Sequence, residues 1–327
     1  MPPHTFKPLV ALLIGCIGVI SGCGGNAGSG GAPSTRVPIN TATGWSDSPF
    51  ISRDGQRLYF TYSRYNFGPW ILSGGTVMPQ ATGPDRPGLR KSAVNPFDES
   101  DIYMATRNPD GTWSEPVNLG FNGPGGDASG MEIDGGNTFV WLHGLADGST
   151  SRIVVSTKNP DGSWSAPVDP GNGINTTSGG TLQDNPHLSP DGNAMWFTST
   201  RPGGLGGKDL WFSYRTAGVW SAPVNTGTPF SSSAGDDDQF WLSPTSSNDV
   251  YWNGQTGLMH CVSNGSTCAA APTVVTIPGC AYVAEVSMPD DGQRMYFGCG
   301  SFTTGRVSIM YSVKQPNGSW GTATPVD

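Results

Sequence analysis

Apolar and polar residues alternate along most of this chain in strand-length runs broken by Gly, Pro, Asn and Asp, a period-2 pattern that predicts β-strands. Five runs rich in aromatic and β-branched residues stand out: "RLYFTYS" (57–63), "TFVWLH" (138–143), "AMWFTS" (194–199), "DVYWN" (249–253) and "RMYFGC" (294–299). Each follows a turn, at Arg53-Asp54-Gly55, Asp134-Gly135, Pro190-Asp191-Gly192, Pro244-Thr245 and Asp290-Asp291-Gly292. Glycine supplies cheaply the positive φ that tight hairpins need. Third strands are expected at "DIYMATR" (101–107), "RIVVSTK" (152–158), "DLWFSYR" (209–215), "GLMHCV" (257–262) and "SIMYSVK" (308–314). Fourth strands follow in "NPDGTWSEPV" (108–117), "NPDGSWSAPV" (159–168), "AGVWSAPV" (217–224) and "PNGSWGTATPV" (316–326). The fourth unit offers only "APTVVT" (271–276) and is the degenerate one. Trp113, Trp164, Trp220 and Trp320 recur at one repeat position and are predicted to pack.

Four antiparallel strands per unit, repeated along the chain, predict an all-β, five-bladed β-propeller of four-stranded antiparallel blades. The stretch "NPHLSPDGNAMWFTSTRPGGLGGKDLWFS" (185–213) resembles the WD40-like (PD40) propeller repeat of periplasmic TolB-type proteins and related bacterial lipoproteins. The third unit matches strongly, the first, second and fifth moderately, and the fourth weakly. The resemblance implies an interaction platform, although the partner-binding segment of TolB-type proteins is not recognisable here. "RVPIN" (36–40) is similar to the ends of other units and is placed to pair beside the last blade.

The N-terminus adds a location. Lys7, an apolar run from Leu9 to Ile20 that includes Cys16, and then Ile20-Ser21-Gly22-Cys23 predict a secretory signal over residues 1–22. The Ile-Ser-Gly-Cys ending resembles a bacterial lipobox, which makes Cys23 the expected lipidation site. Residues 23–35 read as a flexible Gly/Ser-rich tether and 36–327 as the propeller domain. The expected location is the bacterial envelope, at the periplasmic face or cell surface, with membrane contact through the lipid alone. Cys261, Cys268, Cys280 and Cys299 then suggest two disulfides with three connectivities. The preferred pairs are Cys261–Cys268, and Cys280–Cys299 across the turn at 289–292. No spacing supports a zinc site, and no cofactor motif is evident. Net charge is −8, with 17 Lys and Arg thinly spread, which argues against nucleic-acid binding.

Strand order gives the wheel a polarity. If the innermost strands start at the top, the Asp-Gly turns lie at the bottom and the second-to-third-strand links return to the top. Counting back seven residues from each turn aspartate or its equivalent reaches Asp47, Asp127, Asp184 and Asp238, with Ala284 beside Glu285 in the fifth unit. These carboxylates are expected at one mouth of the channel, where crowding would raise their pKa values. Crowded carboxylates also attract cations or polyhydroxylated ligands, which makes Asp47, Asp127, Asp184, Asp238 and Glu285 ligand-binding candidates. Repetition, in turn, favours a structural role, since catalysis needs different groups in different blades. Unrepeated features are the better binding candidates: Trp45, Gln239, and the insertion 65–98 with Trp70, Arg86, Arg90 and Lys91. Trp241, also near the top, sits within the strand, where burial is the alternative. A loop of that length without structure of its own is often a lid. Aromatic faces beside carboxylates suit sugars.

Two functional classes follow. One is a binding module for a protein, glycan or cell-wall ligand. The other is a glycoside hydrolase, since Asp47 and its surroundings (46–63) resemble the first blade of arabinanase- and xylosidase-type propellers. That resemblance implies Asp47 as base, Asp127 or Asp184 as modulator, and Glu285 or Glu99 as acid. Glu115 and Glu132 lie on an outer strand and near the bottom turn. His143, His187 and His260 are isolated on strands, and Asp236-Asp237-Asp238 reads as a solvated acidic turn rather than a calcium loop.

Overall fold

The computed structural model describes residues 37–92, 95–144, 151–176, 181–243, 248–265 and 267–327. The signal, Cys23, the tether and the Pro244-Thr245 turn lie outside them. Five antiparallel sheets follow one another along the chain, each entered by its innermost strand: Trp45–Ile51, Asp127–Ile133, Gln183–Leu188, Asp238–Leu242 and Tyr282–Ser287. Each innermost strand pairs with the next strand in sequence and that one with the third, giving five propeller blades. The predicted second strands fall where expected, Arg57–Ser63 and Arg294–Gly300 among them. Aspartates organise the bottom turns: Asp54 and Asp191 each accept from a serine hydroxyl and a backbone N–H two residues on.

The fourth strands are short. Val117–Asn118, Val224–Asn225, Thr273–Val274 and Thr324–Pro325 are two residues each, and blade two contributes the isolated bridges Lys158–Trp164 and Val155–Val168. The proline of each Ser-x-Pro-Val segment removes a donor, so the outer edge cannot grow into a ladder for another chain. Trp113, Trp220 and Trp320 are buried and Trp164 partly so, as their repetition predicts. Lys158, Arg215 and Lys314 lie over Trp164, Trp220 and Trp320 at 5.4, 5.2 and 6.0 Å, covering the outer face of the rings. Both disulfides form with the preferred pairing, Cys261–Cys268 and Cys280–Cys299.

The ring closes through the stretch before the first strand. In blades one and two, Asn122 and Asn175 each exchange two hydrogen bonds with the backbone of a third-strand isoleucine, Ile102 and Ile153. In blade five that place is taken by Asn40, which accepts from Ile309 N–H and donates to the carbonyls of Ile309 and Val326, all at 2.8 Å. Ile39 beside it is fully buried, as is Ile174 at the matching position. The likeness of 36–40 to the ends of other units therefore has a cause: its described part completes the last blade. Asn40→Ala removes three bonds and strands two backbone groups, and is expected to cost about 2–4 kcal/mol in urea unfolding. The equivalent Asn175→Ala, which opens no seam, should leave the ring closed and cost less.

Candidate functional site

Every innermost strand slips register at one place: between Asp47 and Phe50, Ala128 and Met131, Asp184 and His187, Asp238 and Trp241, and Ala284 and Ser287. Inside each slip one residue takes a left-handed backbone: Ser48, Ser129, Asn185, Gln239 and Glu285, with φ from 45° to 58°. None is glycine, so each position stores strain that the surrounding sheet must hold. Such bulges re-aim a side chain, and these five face the hub around a pocket of about 60 Å³. Two residues further on, Phe50, Met131, His187, Trp241 and Ser287 form a second layer that plugs the channel. The His187 and Trp241 rings lie 4.5 Å apart, and His187 Nε2 accepts from Leu242 N–H.

Most of the upper layer is knit across blades. Ser48 donates its N–H and hydroxyl to the two oxygens of Glu285, each at 2.8 Å, joining blades one and five. Glu285 N–H donates to Gln239 Oε1 at 2.8 Å, joining five and four. Asn185 Nδ2 donates to Asp238 at 2.8 Å, joining three and four, and the Ser48 and Ser129 hydroxyls meet at 3.4 Å.

Counting places Asp47, Asp184 and Asp238 at the top, all buried. Asp47 accepts from Trp45 Nε1 at 2.6 Å and from the Ser48 hydroxyl at 3.3 Å. Asp238 accepts from Lys208 Nζ and Gln239 N–H, each at 2.9 Å, as well as from Asn185 and Thr198. Asp127 does not join them. It lies fully buried within blade two, accepting from Trp141 Nε1 and Gly123 N–H and pairing with His143 Nδ1 at 2.6 Å. The reason is local. Gly136, not Gly135, occupies the turn place of Gly55 and Gly192, so the aspartate of this turn sits one residue early. Counting back from Asp134 reaches Asp127, whereas Ala128 holds the equivalent position.

The insertion is no unstructured lid. It carries the strands Tyr65–Asn66 and Gln80–Ala81 and a short helix Gly68–Leu72, and it brings a small core of its own. Trp45 and Trp70 are both buried there with Phe67 and Ile71, which removes them as ligand platforms. Arg86 is 4% exposed; it donates to the carbonyls of Val37, Pro38 and Ile39 and lies 4.2 Å over Tyr62. Arg90 donates to Asp98 O and Asp101, and Lys91 pairs with Asp85 at 2.5 Å. The basic trio thus staples the closing segment and the insertion to the first blade. Asp236, Asp237 and Asp238 diverge, to Lys208 N–H, Ser232 N–H and Lys208 Nζ respectively.

What the sequence did not announce is a cleft of about 680 Å³ on the top face between blades four and five. It exists because blade four returns through a two-residue hairpin, Gln255-Thr256, too short to cover it. Asp236, Asp238, Asn253 and Gln255 offer polar groups, and Tyr282 and Phe302 stand edge-to-face with centroids 6.2 Å apart. Cys280 of the second disulfide lies in its wall. Lys208, Asn253, Tyr282 and Phe302 carry no repeat signal. The hub residues Ser48, Ser129 and Asn185 had one faint cue, a polar residue at each strand start.

No protein-family model matches the chain, and no curated relative does. Among solved structures, TolB from Acinetobacter baumannii is similar at 14% identity and TM-score 0.45, over 85% of this chain and 67% of that one. CoXyl43, a GH43 β-xylosidase/α-arabinofuranosidase from a compost microbial metagenome, is similar at 11% and 0.47, over 90% and 98%. The periplasmic gluconolactonase PpgL of Pseudomonas aeruginosa is similar at 11% and 0.43, over 89% of each chain. The protein described here is a five-bladed propeller on its own sheet order, and these likenesses transfer no residue roles.

Burial pushes Asp47 up to about 6 and, with Asp238 nearby and despite Lys208, Asp184 up to about 7. Glu285 is raised well above its ordinary value by burial and then by Asp47. Raised carboxylates bind protons in the fold that the unfolded chain has released, so their stabilisation is full below pH about 4 and is lost as pH climbs through 6 and 7. His187, pushed down to about 3 by burial, works oppositely: its contribution is present above about 6.5 and lost on acidification. Asp101 and Asp237 are also raised to about 6, chiefly by burial, so the carboxylates outnumber the imidazole. Calorimetry should therefore find Tm lower by several degrees at pH 8 than at pH 5, and Asp184→Asn should flatten that fall. A rise in Tm from pH 5 to 8 would mean that the hub carboxylates are hydrated and ionised.

Proposed function

We propose that the protein is an exported, lipid-anchored propeller that binds a glycan at its top face without cleaving it. The cleft between blades four and five carries the reading: a rim of acceptors beside the exposed Phe302 and the half-buried Tyr282 is the surface that sugar hydroxyls and C–H faces recognise. Export is supported by the two disulfides, which suit an oxidising compartment. Lipid anchoring is supported by the lipobox-like ending at Cys23 and the tether after it.

The hydrolase alternative is weakened by what the carboxylates already hold. Glycoside cleavage needs two carboxyls about 5–9.5 Å apart with the scissile bond between them. Ser48 Oγ lies 3.3 Å from Asp47 and 2.8 Å from Glu285, and so fills the space between that pair. Glu99 is fully buried and paired with Arg64 at 2.6 Å, and Glu132 is taken by Arg57 at 2.7 Å and by Tyr59.

Purified protein lacking the signal should be retained by members of a glycan panel, with no product released from arabino- or xylo-oligosaccharides. Phe302→Ala should weaken retention by about 10-fold, the scale of one lost aromatic platform. Product release that disappears in Asp47→Ala and Glu285→Ala would overturn the binding reading in favour of hydrolysis.

A further inference from the structure

The open polar groups of the cleft are lopsided. Asn253 is 3% exposed; its Nδ2 donates to Val283 O at 2.7 Å, while its Oδ1 has no hydrogen-bond partner. That oxygen is itself sealed from solvent, so it meets no ligand; the open acceptors of the cleft are those of Asp236 and Gln255. Of these, Asp236 carries the charge. One of its oxygens takes Lys208 N–H at 2.9 Å, and the residue is otherwise exposed at the rim. Among the described residues lining the cleft there is no Lys, Arg or His. The nearby cation, Lys208, is buried behind Asp238 and paired directly with it at 2.9 Å, which leaves Asp236 as the carboxylate at the open rim. Beside these acceptors stand the half-buried Tyr282 and the 43% exposed Phe302.

We infer that the cleft selects a saccharide carrying a free, protonated amine, an amino sugar rather than a neutral or anionic one. The ammonium supplies three donors and one positive charge to a site with acceptors and negative charge to spare. The ring's C–H face lies on Phe302, with Tyr282 set edge-to-face beside it, and an aromatic face also favours a neighbouring cation. Carboxylated or phosphorylated sugars meet Asp236 with no cation to offset the repulsion. The inference rests on the glycan reading above and narrows it to one chemical class.

The test uses two trimers of the same backbone, a glucosamine trimer with free amines and its fully N-acetylated counterpart. Both are titrated at pH 6 into protein lacking the signal and followed by calorimetry and by resonances of cleft residues. The free-amine trimer is expected to bind about 10-fold tighter, the worth of one charge-assisted contact. Asp236→Asn, an exposed and isosteric change, should weaken the free-amine form alone and close the gap, and Phe302→Ala should weaken both. Equal or tighter binding of the acetylated trimer, still sensitive to Phe302→Ala, would overturn the amine selection and leave the glycan reading standing. Tighter binding of a lysyl peptide than of the free-amine trimer would overturn the sugar assignment. If neither trimer moves a cleft resonance, both readings fall.

Discussion

Five left-handed residues at the hub are the constraint on which the rest of this molecule depends. A strand that runs straight presents alternate side chains to its two neighbouring blades and nothing to the axis. The slip at Ser48, Ser129, Asn185, Gln239 and Glu285 turns one polar group per blade inward. Strain at non-glycine residues is tolerated because most of these groups bond to another blade. The same slip sets the next layer, where Phe50, Met131, His187 and Trp241 close the channel. The hub is therefore a packed plug and not an open passage through the wheel.

Charge at the hub is managed by burial and by single partners. Asp238 collects Lys208, Asn185, Thr198 and a backbone N–H, so its negative charge is spent inside the structure. Asp47 and Glu285 share the Ser48 hydroxyl across the seam between first and last blades. Among the described residues the rim opens toward blade four, where a two-residue hairpin stands in place of longer links such as 200–208 and 301–306.

The architecture was legible because its determinants are local. Turn glycines, aromatic strand runs and the recurring tryptophans repeat, and each repetition reinforces the same reading. Asp47, Asp184 and Asp238 could be placed by counting, since strand length and turn type are constant in those blades. The same count failed at Asp127, where the turn glycine shifts by one residue. Trp70 and Arg86 were misjudged for another reason: composition marks an insertion as long and polar, but Phe67, Ile71 and Phe97 give it a core of its own. Lys208, Asn253 and Phe302 acquire meaning only when separate blades meet, and no spacing along the chain encodes that.

The way the wheel is shut has a mechanical consequence. Residues 37–40 complete the last blade and continue directly into the segment read as a membrane tether. Tension applied through that end is borne first by the Asn40 bonds to Ile309 and Val326 and by the grip of Arg86 on three successive carbonyls. Under the anchoring proposed above, the joint that makes the ring continuous also carries the load.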